Sequence, residues 1–244
     1  MSKKFKGKPC VYCRVNTSTR SGDHIFAREF FLEDKRDNLP KVPSCESCNN
    51  DKSKLEHYLT AVLPFGGRHP GARKNLREMV PGRLAKNLKL HRTLTEESQH
   101  TETEDVPGVT LPTLTLPFNS EILFELFRFI VKGLLWHHWS VALTELEDIR
   151  VISYTKFGET TFRQFLLSMN GKQRVEANLG DSSFCYEGIQ GADYPELSFW
   201  SFSIYGGLKL SGDPEAPDEE AVGIGAITAK KGFLERPAVA EIFG

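Results

Sequence analysis

The chain has 244 residues and a formal net charge of -1, and 39% of its residues are apolar. This composition excludes a highly charged disordered protein, and the length is enough for one large domain or two small ones. The charge is unevenly distributed, because residues 1–92 hold 20 Lys and Arg against 9 Asp and Glu, whereas residues 93–244 hold 11 against 23. The asymmetry favours nucleic-acid contact by the basic half. Two ordinary domains that differ in charge are the alternative.

The N-terminal segment is basic, but no apolar stretch follows it, so it does not resemble a secretory signal. The most apolar region, residues 122–139, is interrupted by charged residues and histidines, which is typical of a buried or amphipathic helix rather than a membrane span. We therefore expect a cytoplasmic protein with no membrane partner. In a reducing compartment, its five cysteines are not expected to form disulfides.

Four of the cysteines form two CxxC pairs, Cys10 with Cys13 and Cys45 with Cys48, separated by 31 residues. Two intervening residues let both thiolates of a pair face one ion, and two pairs complete a tetrahedral shell. The pattern predicts a structural Zn²⁺ without an open coordination position. A redox CxxC is the alternative, which the pairing disfavours. The fifth cysteine, Cys185, lies in a strand-like run and is expected to be a buried thiol.

Residues suited to phosphodiester hydrolysis lie beside these cysteines. A histidine can activate water, and a carboxylate together with an asparagine carbonyl can hold a divalent cation. Asp23, His24 and Asn49 are such residues. Singly, each has a simpler explanation: Asp23 and Asn38 could form turns, His24 could be a hydrogen-bonded loop residue, and Asn49 could start a helix. Their order within the cysteine frame favours catalysis.

The motifs CVYC, DHI, DNL and CESCNNDK, in that order, resemble the HNH endonuclease family, the zinc-supported branch of the ββα-metal nucleases. The resemblance covers roughly residues 8–63. It implies that His24 is the general base and that Asp23 and Asn49 coordinate a catalytic Mg²⁺ or Mn²⁺. It also implies that Asn38 orients the His24 loop by hydrogen bonding and that Lys52 contacts phosphate.

Two positions depart from the family pattern. Family members often have a proline two or three positions after the histidine, where Phe26 and Ala27 stand here. The third motif carries Asn49 instead of histidine, a common variant that weakens the metal shell without abolishing it. From the residues alone, Asn49 is expected in the first turn of an amphipathic helix, where phosphate is attracted.

Residues 68–92 read as a broken helical segment with eight cations and the single acid Glu78. This excess predicts a phosphate-contacting flank, and the solvated face of a packed helix is the alternative. The cations chosen as nucleic-acid-binding residues in this segment are Arg73, Lys74, Arg77, Arg83 and Lys86.

We predict an α+β chain in four parts. They are an HNH module over 1–63, a basic helical extension over 64–92, a polar linker over 93–118 and an α+β region over 119–244. The last part is expected to begin with a helix from about Ser120 to Trp139, followed by mostly antiparallel strands with a kink at Gly206-Gly207 and an acidic loop at 213–220.

The sequence favours a metal-dependent endonuclease that acts on nucleic acid, with double-stranded DNA as the expected substrate. Nucleases of this kind often serve restriction or antiviral defence. A zinc-stabilised nucleic-acid-binding protein without catalysis is one alternative. Another is an interaction protein that docks a partner or a second copy through residues 119–244. The acidic loop is unsuited to DNA.

Overall fold

The computed structural model of the protein describes residues 3–15, 21–106, 109–168, 171–210 and 222–236. The acidic loop expected at 213–220 lies outside these residues. The predicted α+β class is confirmed, because the described part combines helices with a five-stranded antiparallel sheet. No helix in this part is both long and apolar enough to cross a membrane.

The N-terminal part contains a short antiparallel pair of strands followed by a long helix. Strand β1 (Ser21–His24) pairs with β2 (Lys41–Ser44), which places Asp23 opposite Val42 and His24 opposite Lys41. The connection between them includes two short 3-10 helices, Arg28–Phe30 and Glu33–Lys35. Helix α1 (Glu46–Gly66) begins directly after β2, with Cys45 at its N-cap.

Three short helices follow α1 and carry the basic segment: α2 (Pro70–Glu78), α3 (Val80–Lys86) and α4 (Leu88–Glu97). The predicted linker over 93–118 is not an unstructured connection. It contains the end of α4 and an antiparallel hairpin of β3 (Gln99–Val106) and β4 (Val109–Thr115). Its threonines and valines favour extended backbone, and a two-stranded sheet can accept Pro112 because both strands are edges.

The remaining elements form the sheet and its covering helices. Helix α5 (Ser120–Trp139) occupies the range expected from the sequence, and its N-cap is Asn119, whose side chain accepts hydrogen bonds from Glu121 N and Ile122 N. The strands are arranged in the order β5-β9-β8-β7-β6. The strands are β5 (Glu147–Tyr154), β6 (Gly171–Leu179), β7 (Phe184–Gly191), β8 (Ser198–Ile204) and β9 (Gly223–Lys230). Helix α6 (Lys156–Ser168) lies between β5 and β6 in the chain.

One hydrophobic core joins the N-terminal part to the sheet, with α5 between them. Phe127 on α5 packs against Phe184 and Phe202 of the sheet, with ring centroids 6.2 Å and 4.9 Å away. On the opposite side, Gly133 lets α5 approach Ile25, since a β-carbon at Gly133 would stand 3.0 Å from that side chain. The residue that follows His24 is therefore held by the C-terminal part of the chain.

The kink predicted at Gly206-Gly207 is present directly after β8. Tyr205, Gly206 and Gly207 all have positive φ, a conformation that is uncommon for a bulky residue such as tyrosine. The Tyr205 carbonyl accepts hydrogen bonds from the backbone N–H groups of Arg68 and His69, at 2.8 Å and 2.7 Å. This turn therefore anchors the start of the basic helices to the sheet.

Candidate metal centre and active site

The two cysteine pairs converge as the sequence predicted. The sulfur atoms of Cys10, Cys13, Cys45 and Cys48 all lie within 4.8 Å of one another, and the sulfurs of Cys13 and Cys45 are 3.9 Å apart. A tetrahedral Zn²⁺ with Zn–S bonds of about 2.3 Å needs ligand sulfurs about 3.8 Å apart. The four thiols can therefore hold a metal ion such as zinc, which would join the N-terminal turn to the start of α1.

Asp23 lies at the centre of a polar network next to this group. Its Oδ2 accepts a hydrogen bond from the Tyr12 hydroxyl at 2.7 Å and forms an ion pair with Lys52 Nζ at 3.1 Å. Oδ1 has no hydrogen-bond partner among the described residues. The side chain is 12% exposed, so this carboxylate is largely buried and keeps one oxygen for a further ligand.

Lys52 does not lie where a phosphate contact requires it. Its side chain is 1% exposed, and its ammonium also donates to the His24 carbonyl at 2.7 Å and to Glu56 Oε1 at 2.5 Å. The predicted phosphate role for Lys52 does not agree with this burial. Instead, Lys52 ties the backbone of His24 to α1 and balances the charge of Asp23.

Glu56 is the second acid of this network, and it is not among the site residues predicted from the sequence. Burial raises the pKa of Glu56 to about 7, opposed by the neighbouring Lys52 ammonium. Burial also raises the pKa of Tyr12, with the Asp23 carboxylate adding to the shift, so the Tyr12 hydroxyl stays a donor at neutral pH. The Lys52–Glu56 spacing of four residues is a helix ion-pair signal that sequence reasoning could have used.

The Lys52→Met substitution is expected to destabilise the protein by about 3–5 kcal/mol, because it leaves two largely buried acids without their shared cation. The matched control is Lys54→Met on the same helix, where the lysine is exposed and pairs with Asp51. The control is expected to change stability by no more than about 0.5 kcal/mol. Urea unfolding of both variants measures the difference. Equal stabilities would contradict a buried role for Lys52.

His24 is half-buried at the end of β1. Its pKa is lowered by burial first and then by the positive charges of Lys41 and Arg28. The imidazole is therefore neutral at neutral pH, the form that accepts a proton. The side chain makes no hydrogen bond to another described residue. The nearby cations place positive potential beside the imidazole, which would attract a phosphate.

The two asparagines of the predicted site have different settings. Asn49 is exposed in the first turn of α1, three residues before Lys52, and therefore lies on the helix face that carries Lys52 toward Asp23. Asn38 is exposed with a φ of 57°, a turn conformation that asparagine tolerates. No hydrogen bond joins the Asn38 side chain to the His24 loop among the described residues. The His24 loop is held instead by a hydrogen bond from the Ile25 N–H to the Pro40 carbonyl at 2.9 Å and by the hydrogen bond from Lys52 to the His24 carbonyl.

The predicted nucleic-acid-binding cations fall into two groups. Arg73, Lys74, Arg77 and Lys86 are exposed on α2 and α3. Arg83 is structural: its guanidinium donates to the carbonyls of Thr60 and Glu29, both at 2.6 Å, and to Asn75 Oδ1 at 3.0 Å. These bonds tie α1, α2 and the Arg28–Phe30 helix together, so a nucleic-acid contact for Arg83 does not agree with its position.

Together, the fold and the site define an α+β protein with a four-cysteine candidate metal centre and an adjacent Asp-His pair. Searches of protein-family models, curated proteins and solved structures find no match to this chain. The function is therefore argued from the site's own geometry.

Proposed function

We propose that this protein is a metal-dependent endonuclease of the HNH type, with double-stranded DNA as its substrate. The observation that carries the proposal is the position of Asp23 and His24. Both stand at the end of a short strand pair, next to the four-cysteine group, and Lys52 connects them to the helix that bears Asn49. The order of strand, strand and helix supports a ββα-metal module.

The residues present fit a divalent cation beside Asp23. Mg²⁺ and Mn²⁺ prefer oxygen ligands, and Asp23 Oδ1 has no other partner among the described residues. Asp23 and the Asn49 amide oxygen are the groups that would hold the ion. When bound, such an ion neutralises charge on the phosphate and on the leaving oxygen.

The chain's own groups supply the remaining steps. The neutral imidazole of His24 accepts the proton of the attacking water, and its lowered pKa keeps it in this form at neutral pH. The Lys52 ammonium holds the His24 carbonyl and so limits movement of the imidazole. Lys41 and Arg28 draw the phosphate to this edge, and the N-terminus of α1 adds a weaker attraction. The zinc proposed at the cysteines has no open position and takes no part in the chemistry.

The exposed cations of α2 and α3 form a second contact region for the DNA backbone. Asn75 of α2 donates a hydrogen bond to the Glu29 carbonyl at 3.1 Å, and Arg83 of α3 donates to the same carbonyl. Glu29 stands five residues after His24, so these helices are fixed to the loop that follows the Asp-His pair. A duplex that reaches His24 can therefore also contact this flank.

The double substitution Arg73→Ala and Arg77→Ala is expected to weaken DNA binding and to lower the dependence of log K on log salt by about two, one for each lost phosphate contact. Arg128→Ala on α5 is the matched control, because this arginine pairs with Glu125 outside the basic half. Fluorescence anisotropy with a labelled duplex at several salt concentrations measures the effect. An unchanged salt dependence would show that Arg73 and Arg77 of α2 do not contact the DNA backbone.

One observation favours a second candidate, a zinc-stabilised DNA-binding protein without catalysis. Asp23 is already ion-paired with Lys52, so its charge is balanced without a further cation. Incubation of purified wild-type protein with supercoiled plasmid, in Mg²⁺ or Mn²⁺ and after chelation of these ions, distinguishes the two. Cleavage that requires the added ion supports the nuclease. DNA binding without cleavage in either ion would favour the second candidate.

A further inference from the structure

We propose that Tyr12 is a positioning residue that orients the Asp23 carboxylate from within the cysteine turn. The inference rests on the proposed function, because it concerns the ligand of the proposed catalytic cation. Tyr12 stands between Cys10 and Cys13, is 5% exposed, and donates its hydroxyl to Asp23 Oδ2 at 2.7 Å. The turn that contributes two cysteines to the metal centre therefore also touches the catalytic carboxylate.

Tyr12 is held firmly enough to orient another group. Its ring meets Phe129 of α5 edge-on, with centroids 5.0 Å apart. Its carbonyl accepts a hydrogen bond from Lys132 at 3.3 Å, and the N–H of the preceding Val11 donates to Pro43 of β2 at 3.0 Å. These contacts fix the backbone on one side and the ring on the other, so the hydroxyl has one stable position. A zinc ion bound at the four cysteines would restrain the same turn.

Tyr12 and Lys52 both engage Oδ2 of Asp23. This arrangement leaves Oδ1 as the oxygen that can face a cation, and it restrains rotation of the carboxylate about its bond to the β-carbon. Outer partners of this kind orient metal ligands, and their loss weakens metal binding. The four-cysteine centre thereby gains a second role beyond joining chain segments, because it carries the residue that sets the geometry of the neighbouring cation site.

The test compares Tyr12→Phe with Tyr58→Phe. Tyr58 is the matched control because its hydroxyl is also hydrogen-bonded, but to Pro117 and Asn119 instead of Asp23. Electron paramagnetic resonance titration with Mn²⁺ measures the affinity, and zinc content is measured on the same samples. Mn²⁺ binds thiolate sites more weakly than Zn²⁺ does, so it leaves the cysteine centre occupied.

We expect Tyr12→Phe to keep its zinc and to bind Mn²⁺ about 10- to 100-fold more weakly, with Tyr58→Phe unchanged. Plasmid cleavage by Tyr12→Phe should need correspondingly more Mn²⁺ and regain its rate at saturation. Wild-type Mn²⁺ affinity in Tyr12→Phe would overturn the inference while leaving the nuclease proposal intact. Conversely, Mn²⁺ binding that depends on Tyr12, without plasmid cleavage by the wild type, would refute the nuclease proposal alone.

A second measurement needs no destabilising variant. Wild-type protein labelled with 3-fluorotyrosine has six tyrosine signals in its fluorine NMR spectrum. A cation at Asp23 places paramagnetic Mn²⁺ next to the Tyr12 ring, so the signal assigned to Tyr12, by its absence from the spectrum of Tyr12→Phe, should broaden first in the titration. Uniform broadening of all signals would overturn the inference.

Discussion

Replacing Cys45 with serine is expected to prevent zinc binding at the four-cysteine group and to unfold the protein at room temperature. Cys45 is 2% exposed and belongs to the core that joins the N-terminal part, α5 and the sheet. Structural zinc contributes about 10–16 kcal/mol of binding free energy in small metal domains, which is similar in size to the whole stability of a typical domain, about 5–15 kcal/mol. Lys52 and the shared core still connect the strand pair to α1, but without the ion the turn that carries Cys10 and Cys13 loses its link to the start of the helix.

The matched control for this prediction is Cys185→Ser. Cys185 lies on β7, is partly exposed and stands outside the four-cysteine group. This variant is expected to keep one zinc per chain and to unfold close to the wild-type temperature. Zinc analysis and thermal unfolding by circular dichroism measure both variants. A Cys45→Ser protein with wild-type stability would show that the cysteine group is not a structural metal centre.

The His24→Ala variant is expected to lose about 10²- to 10⁴-fold in the rate of DNA cleavage, the range that general acid–base catalysis contributes. Its affinity for DNA should stay close to wild type, because the exposed cations of α2 and α3 are unchanged. The imidazole makes no hydrogen bond to another described residue, so its removal should have little effect on the fold. Single-turnover cleavage at saturating Mg²⁺ measures the effect.

His57→Ala provides the comparison for this loss. His57 is exposed on α1, on the helix that bears Asn49 and Lys52. The His57→Ala variant removes an imidazole from α1 and leaves Asp23 and the His24 loop unchanged. Its cleavage rate should equal that of the wild type. A rate loss shared by both variants would point to a general effect of histidine removal. Full activity in His24→Ala would assign the base to another group.

Those parts of the site that depend on local chain geometry could be predicted from sequence. The two CxxC pairs were expected to converge because their spacing suits one tetrahedral ion, and the four sulfurs do meet. The positions of α1 and α5 followed from apolar residues at helical spacing. These signals need no knowledge of what packs against each element.

The settings of Lys52 and Arg83 could not be read from the sequence, because they depend on tertiary packing. Both are cations in the basic half of the chain, yet each is surrounded by acceptors from other elements: Asp23 and the His24 carbonyl for Lys52, and Thr60 and Glu29 for Arg83. Charge counting assigns such residues to phosphate. Their long side chains allow a buried structural role as well.

Tyr12 was missed for a related reason. In the sequence it is one of the two residues between Cys10 and Cys13, and its partner Asp23 is 11 residues away. A large polar side chain inside a tight metal-binding turn was the available signal, since a buried tyrosine hydroxyl usually finds a partner. The division of the chain into parts at residues 63 and 119 stays a prediction. One hydrophobic core contains residues from both sides of this division, so residues 119–244 pack against the part that carries the candidate site.

Anomalous diffraction at the manganese absorption edge, from zinc-containing crystals soaked in Mn²⁺, tests directly whether a cation binds beside Asp23. We expect a manganese ion bound to Asp23 Oδ1 and the Asn49 amide oxygen, with the His24 imidazole facing it and zinc at the four cysteines. Crystals with zinc at the cysteines and no manganese beside Asp23, at concentrations that support plasmid cleavage, would contradict this expectation.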